Sequence, residues 1–254
     1  MKIQIYNFIY LIKKIYSKIF LIEPRLTGRM RNPYRQYLFE ELKLKYGKEY
    51  FKDKRILEIG PKDGEDTLRL DTLSPSILIL NELAEIKEET HPVNTFYKNN
   101  LLPNLQKVES EYELIFGNIN YLNQDELNKL GKFDLIWFTG VIYHIPEQLR
   151  TLRKLYNLLD QNGTLVLETS TTRNPKLINE EVVEIIDDGA YFFPSRKAIN
   201  RLLKLAGFSN ISESNCFDKE NFNKKGIRLA LFAEKLDSNE NVLHRDKYIF
   251  GEAF

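Results

Sequence analysis

Arg55-Ile56-Leu57-Glu58-Ile59-Gly60-Pro61-Lys62-Asp63-Gly64-Glu65-Asp66-Thr67 is the stretch on which the fold turns. Arg55 to Ile59 has the apolar, β-branched character of a short buried strand, with an acidic residue near its end. Gly60 and Gly64 bracket a tight loop. Glu65 and Asp66 then open a helix, acidic where the helix dipole favours negative charge. A strand, a glycine turn and a helix start together leave backbone N–H groups free where no side chain intrudes. Such a unit holds an extended cofactor at the carboxyl ends of parallel strands.

The spacing argues against a dinucleotide. That fingerprint requires G-x-G-x-x-G, and here Pro61-Lys62-Asp63 fills the space a pyrophosphate would enter. Glu58-x-Gly60-x-x-x-Gly64 instead resembles motif I of the class I S-adenosylmethionine (SAM) dependent methyltransferases, (D/E)-x-G-x-G-x-G, with Lys62 in place of the middle glycine. The resemblance implies an α/β fold: a Rossmann-like, doubly wound, seven-stranded sheet, mostly parallel with an antiparallel last strand. It implies cofactor contacts from Glu58, Gly60, Lys62 and Gly64, with the Lys62 ammonium available to a carboxylate.

Working outward, Ser76–Leu80 reads as a second strand, followed by Asn81-Glu82. A carboxylate at that distance from the first glycine suits two ribose hydroxyls, so Glu82 is the first choice and Asn81 the reserve. Glu113–Phe116 is a weaker third strand. Asn118 and Ile119 follow it, where the family meets the adenine. The fourth strand begins at Phe133-Asp134-Leu135-Ile136-Trp137-Phe138-Thr139 and runs into Gly140-Val141-Ile142-Tyr143-His144. That segment closely resembles F-D-x-V-x-x-x-G-V-L-Y-H of the same family, which places Thr139, Gly140 and Tyr143 at the methionine end of SAM. A helix over Glu147–Leu159, a stop at Asp160–Gly163 and a strand over Thr164–Thr169 come next. A helix over Arg196–Ala206 and strands Asn210–Glu213 and Gly226–Glu234 complete the sheet.

The flanks carry less. Residues 1–22 show Ile and Tyr at helical spacing with Lys2, Lys13, Lys14 and Lys18 interspersed. This is either a helix packed on protein or an interfacial helix in peripheral membrane contact; the central lysines exclude a membrane span. Arg25, Arg29, Arg31 and Arg35 precede a helix over Asn32–Lys45. They form a solvated face or, through Arg29 and Arg31, a grip on an anionic substrate. The domain layout expected is a helical extension over 1–50, a SAM-binding domain over 51–235 and a tail over 236–254, the tail serving as a lid or a dimer contact. At 254 residues and 43% apolar, the chain can bury one substantial core. A net charge of +1 gives no global field for nucleic acid. One cysteine, Cys216, fits a reducing, cytoplasmic setting. Three scattered histidines offer no metal site, so no metal is expected.

From the glycine loop to Glu234 the order of phrases is most similar to one subgroup, the carboxy-SAM-dependent tRNA wobble-uridine carboxymethyltransferases. These phrases include Gly163-Thr164-Leu165-Val166-Leu167-Glu168-Thr169, Phe193-Pro194-Ser195 and Arg228-Leu229-Ala230-Leu231. That likeness implies that Tyr143 and Arg228 hold the donor's extra carboxylate and leaves tRNA open as the acceptor. Plain methyl transfer from SAM to an oxygen or nitrogen of a small-molecule or glycan acceptor is the main expectation. His144 is either a general base or an orienting residue for its loop, Tyr143 flanks the cofactor, and Glu168 lines the acceptor pocket. The competing readings are a non-catalytic SAM-fold scaffold and an NAD-type oxidoreductase.

Overall fold

The computed structural model describes residues 34–47, 49–83, 97–120, 122, 124–187, 191–218 and 228–236. The expected helix over 1–22, Arg29, Arg31 and nearly all of the tail therefore lie outside the described residues.

Helix α1 (Tyr34–Tyr46) leads to β1 (Arg55–Ile59), α2 (Glu65–Asp71) and β2 (Ile77–Glu82). A π-helical turn (Tyr97–Leu101) runs into α3 (Leu102–Leu105), and β3 (Tyr112–Phe116) and α4 (Gln124–Leu130) follow. Next come β4 (Phe133–Thr139), a 3-10 turn (Ile142–His144), α5 (Gln148–Leu158) and β5 (Leu159–Ser170). A hairpin of β6 (Val183–Ile186) and β7 (Tyr191–Pro194) precedes α6 (Arg196–Leu205), β8 (Ser209–Glu213) and β9 (Arg228–Glu234). The main sheet has seven strands in the order β3-β2-β1-β4-β5-β9-β8. β1 to β5 are parallel, and β9 is antiparallel to both neighbours. The order reverses between β1 and β4, and a crevice opens at such a switch point beyond the carboxyl ends of the strands.

Alternation along the strands sorts the core onto two faces. Leu57, Phe138, Leu165, Leu167 and Leu231 face Leu152 and Leu155 of α5 and Ile199 and Leu203 of α6. Ile56, Leu78, Leu80, Trp137, Val166 and Phe232 face Leu38, Phe39 and Leu42 of α1 and Leu70 of α2. Leu38, Phe39 and Leu42 are essentially fully buried, and each contributes about 1.5–3 kcal/mol by leaving water. Helix α1 thus belongs to the same compact unit as the sheet, Tyr34–Phe254.

Among the boundaries that differ from the sequence reading, two bear on the site and its sheet. β2 runs on through Asn81 and Glu82 instead of ending at Leu80. The expected stop at Asp160–Gly163 is part of β5, which pairs Phe133 with Leu159 before a register shift. Gly163 permits this, because a Cβ there would stand 2.9 Å from the carbonyl oxygens of both Asp160 and Phe133.

Candidate active site

The loop after β1, the end of β2 and the ends of β4 and β5 meet at the carboxyl edge of the parallel strands. Gly60 (φ 76°), Lys62 (φ 54°) and Gly64 (φ 77°) all adopt left-handed backbone conformations. A Cβ on Gly60 would come within 2.8 Å of Val141 Cγ2, so glycine lets the turn after β4 close onto this loop. Lys62 carries a side chain in a conformation that costs about 1–2 kcal/mol for such residues. Its backbone N–H is held by Glu82 Oε2 at 3.2 Å. Glu82 Oε1 accepts from the Leu83 N–H at 2.9 Å, and the Tyr97 phenol, its pKa raised by burial and by Glu82, also bonds this carboxylate. Asn81 is engaged elsewhere, its Nδ2 donating to the Gly117 carbonyl at 3.0 Å across β2 and β3. Asn118 Oδ1 accepts from Asn120 N–H at 3.0 Å, shaping the turn after β3, and Ile119 is buried in the core.

Beneath the loop lies a buried polar ladder. Glu58 accepts from Thr67 Oγ1 at 2.6 Å. Burial, reinforced by Asp66, pushes its carboxyl up to about 8. Asp66 accepts from Arg35 Nη1 (2.8 Å), Arg69 Nη1 (2.6 Å), Trp137 Nε1 (3.0 Å) and Thr139 Oγ1 (3.2 Å). Burial opposes its ionisation, but the two arginines and these hydrogen bonds prevail and hold it below the usual carboxylate range. Arg35, from α1, also donates to the Thr139 carbonyl at 3.4 Å and approaches Glu168 Oε2 at 4.0 Å. Burial would lower its pKa, yet Asp66 and Glu168 raise it further. Glu168, fully buried at the end of β5, accepts from Arg228 Nε at 2.6 Å and also pairs with Nη2, while Arg228 Nη1 donates to Ser170 at 3.1 Å.

An aromatic wall stands over this ladder. Tyr143 and His144 are 4.3 Å apart between ring centroids, and Tyr191 and Phe193 of β7 lie 5.1–6.3 Å from one or both of them. The Arg228 guanidinium lies 5.9 Å from the Tyr143 ring. The His144 side chain makes no hydrogen bond among the described residues. Burial and then the nearby Lys62 charge hold its pKa below the ordinary value. Among the described residues no group of three His, Cys, Asp or Glu is placed to hold a metal, and no helix is long and apolar enough to cross a membrane.

A family model described as a methyltransferase domain matches residues 31–213. The chain belongs to that family. With this strand order it is a class I SAM-dependent methyltransferase in family and fold. The tRNA U34 carboxymethyltransferase of Sulfurimonas denitrificans is 25% identical over 239 residues, spanning 85% of this chain and 76% of that protein. The protein of the same name from Mannheimia succiniciproducens is 35% identical over 107 residues, 41% of this chain but only 32% of that one. Among solved structures, the fold is similar to Burkholderia thailandensis 1,6-didemethyltoxoflavin-N1-methyltransferase with bound 1,6-didemethyltoxoflavin and S-adenosylhomocysteine. That match has a TM-score of 0.57 and 14% identity and covers 91% of this chain and 90% of the other.

In this methyltransferase the crevice brings together Gly60, Lys62, Gly64, Glu82, Thr139, Gly140, Tyr143, His144, Glu168 and Arg228 of the residues read from sequence. Glu58 lies below it, bonded to Thr67. Asn81, Asn118 and Ile119 serve the β2–β3 side through their own turn and core contacts. Sequence reasoning missed Arg35 as a site residue, along with Asp66, Trp137 and the β6–β7 hairpin. The clearest available signal was Arg35 itself, the arginine of its cluster nearest the apolar stripe of α1.

Proposed function

We propose that this chain transfers a methyl group from SAM to an oxygen or nitrogen of a small-molecule or glycan acceptor. The observation that carries the reading is the convergence of the left-handed Gly60–Gly64 loop, the Glu82 carboxylate and the end of β4 at one crevice edge. A cofactor of this type fits the donor set: the loop offers backbone groups, and Glu82 offers a carboxylate for ribose hydroxyls. Gly60, Lys62, Gly64, Glu82, Thr139 and Gly140 would hold it. When bound, SAM supplies an electrophilic methyl carried on a sulfonium.

The protein's own part is alignment, exclusion of water and removal of one proton. Tyr143, Tyr191 and Phe193 wall the acceptor side. His144, neutral at physiological pH, would take the acceptor hydroxyl's proton on a ring nitrogen as the acceptor oxygen gains the methyl and the donor's carbon–sulfur bond breaks, the sulfur leaving as a neutral thioether. A second reading is carboxymethyl transfer from carboxy-SAM to a tRNA uridine, favoured by the Sulfurimonas relative and by Tyr143 stacked near Arg228. Against it, Arg228 is already tied to Glu168 and Ser170.

Isothermal titration with SAM, carboxy-SAM and NADH, together with mass spectrometry of the small molecule that co-purifies, tests both. Binding of SAM in preference to carboxy-SAM supports methyl transfer, and the reverse preference supports the second reading. Binding of NADH alone, or of none of the three, overturns both.

A further inference from the structure

The buried face of α5 breaks its apolar pattern at its first residue. Gln148 is 3% exposed, in a helix whose Leu152 and Leu155 are fully buried in the core. Its Nε2 donates to the Ile142 carbonyl at 3.2 Å and to the Phe192 carbonyl at 2.6 Å. Only the nitrogen end of an amide can face two carbonyls, so the partners fix which way the group points. Oε1 is left with no hydrogen-bond partner among the described residues. Two bonds worth about 1 kcal/mol each are offset by one orphaned acceptor at about 1–3 kcal/mol. Stability alone therefore does not favour glutamine here.

The two carbonyls belong to the two halves of the aromatic wall. Ile142 opens the 3-10 turn that carries Tyr143 and His144, and Phe192 lies between Tyr191 and Phe193 in β7. β7 pairs with β6 in a two-stranded sheet apart from the main one. The base of this hairpin is tethered by the Thr172 N–H to the Pro194 carbonyl at 3.1 Å and by the Ser195 N–H to the Val182 carbonyl at 2.8 Å. Gln148 reaches past that base to the middle of β7 and ties it to the turn, from a helix that packing holds against the sheet. We infer that Gln148 is a positioning residue, the clasp that sets the gap between His144 on the turn and Tyr191 and Phe193 on the hairpin. This role rests on the methyl-transfer reading above, in which the acceptor lies against that wall. It adds the start of α5 to the site, and it gives a side chain remote from the reacting atoms control over which acceptors fit between base and wall.

NMR on the full chain reads the gap directly. The His144 ring protons lie in the ring currents of Tyr143 and Tyr191, whose centroids are 4.3 and 5.1 Å away. At pH 8, where the imidazole is neutral, their chemical shift reports closure of the wall. Gln148→Met keeps the length of the side chain but donates nothing. It should move that resonance toward the free-histidine position and speed hydrogen exchange over 191–194 about fivefold or more. Affinity for S-adenosylhomocysteine, measured by calorimetry, should stay within about twofold. Gln148→Glu regains one donor when its carboxyl is protonated, so its excess exchange over the unmodified protein should be large at pH 8 and smaller at pH 5.5; it serves if the methionine variant fails to fold. Lys154→Met is the control. It removes a buried ammonium on the same helix that donates to the Asn120 and Leu122 carbonyls, and should lower the urea midpoint without moving the His144 resonance. An unmoved His144 resonance in Gln148→Met, or an equal shift in Lys154→Met, overturns the inference, as does a tenfold loss of S-adenosylhomocysteine affinity in Gln148→Met. If the unmodified protein does not bind S-adenosylhomocysteine, the SAM reading has failed and the acceptor role falls with it.

Discussion

Replacing Glu58 with Gln should abolish a specific pH dependence of stability. Glu58 is buried beneath α1 and α2 and titrates near 8 in the folded chain, against an ordinary value of 4.5. Between those values the native protein holds a proton that the unfolded chain has released. Stability from this group is therefore present in full below pH 4.5 and is lost as pH rises through 8. At 1.36 kcal/mol per unit, the shift from 4.5 to 8 amounts to a loss on the order of 5 kcal/mol. About 3 kcal/mol of that falls between pH 5.5 and 8.5. Glutamine keeps the shape and the oxygen that accepts from Thr67 but carries no titrating proton. Urea unfolding of both proteins at pH 5.5, 7.0 and 8.5 reads the difference, since every other titrating group is common to the two. The variant's advantage should grow with pH, by about 1 M in midpoint for a slope near 3 kcal/mol/M. Parallel pH profiles would mean that Glu58 is already ionised at neutral pH and that the burial argument is wrong.

Three further outcomes are expected. Gly60→Val should lower stability by about 2 kcal/mol or more, because the side chain meets Val141 and must hold φ at 76°; an unchanged urea midpoint would contradict this. Ser195→Ala removes a hydroxyl that accepts from the Ala198 N–H at the start of α6 and donates to the Glu180 carbonyl, and should cost about 1–2 kcal/mol in the same assay; an unchanged midpoint would contradict this. NMR titration should place His144 below the ordinary histidine value of about 6.5. Lys62→Ala should move it upward by removing the neighbouring charge; no movement would show that Lys62 does not face the ring.

The strand–glycine–helix unit was legible because each residue in it carries its own local signal: β-branching, glycine at left-handed positions, acidic residues at a helix start. The antiparallel end of the sheet was legible through family phrases alone. Other features depend on partners distant in sequence. Arg25, Arg29, Arg31 and Arg35 look alike along the chain, and only the packing of Leu38, Phe39 and Leu42 on the sheet shows where Arg35 points. Asp66 reads as a dipole-favoured first-turn residue, whereas the fold makes it a buried acceptor for two arginines, a tryptophan and a threonine. The β6–β7 hairpin has no two-residue turn to announce it. Glu82 was found as the residue beside the loop, while the continuation of β2 that carries it there was not.

The helix that seals one side of the sheet is also the one that delivers Arg35. Folding free energy and the charge balance of the buried Asp66 ladder are thereby wired to the same thirteen residues. A fragment trimmed to start at Arg55, where β1 begins, would bare an oily face and strip Asp66 of one of its two arginines in one cut. Directed evolution at α1 should accordingly cost robustness first, and variants sought for new acceptors are better sampled on the aromatic hairpin, which sits outside the main sheet.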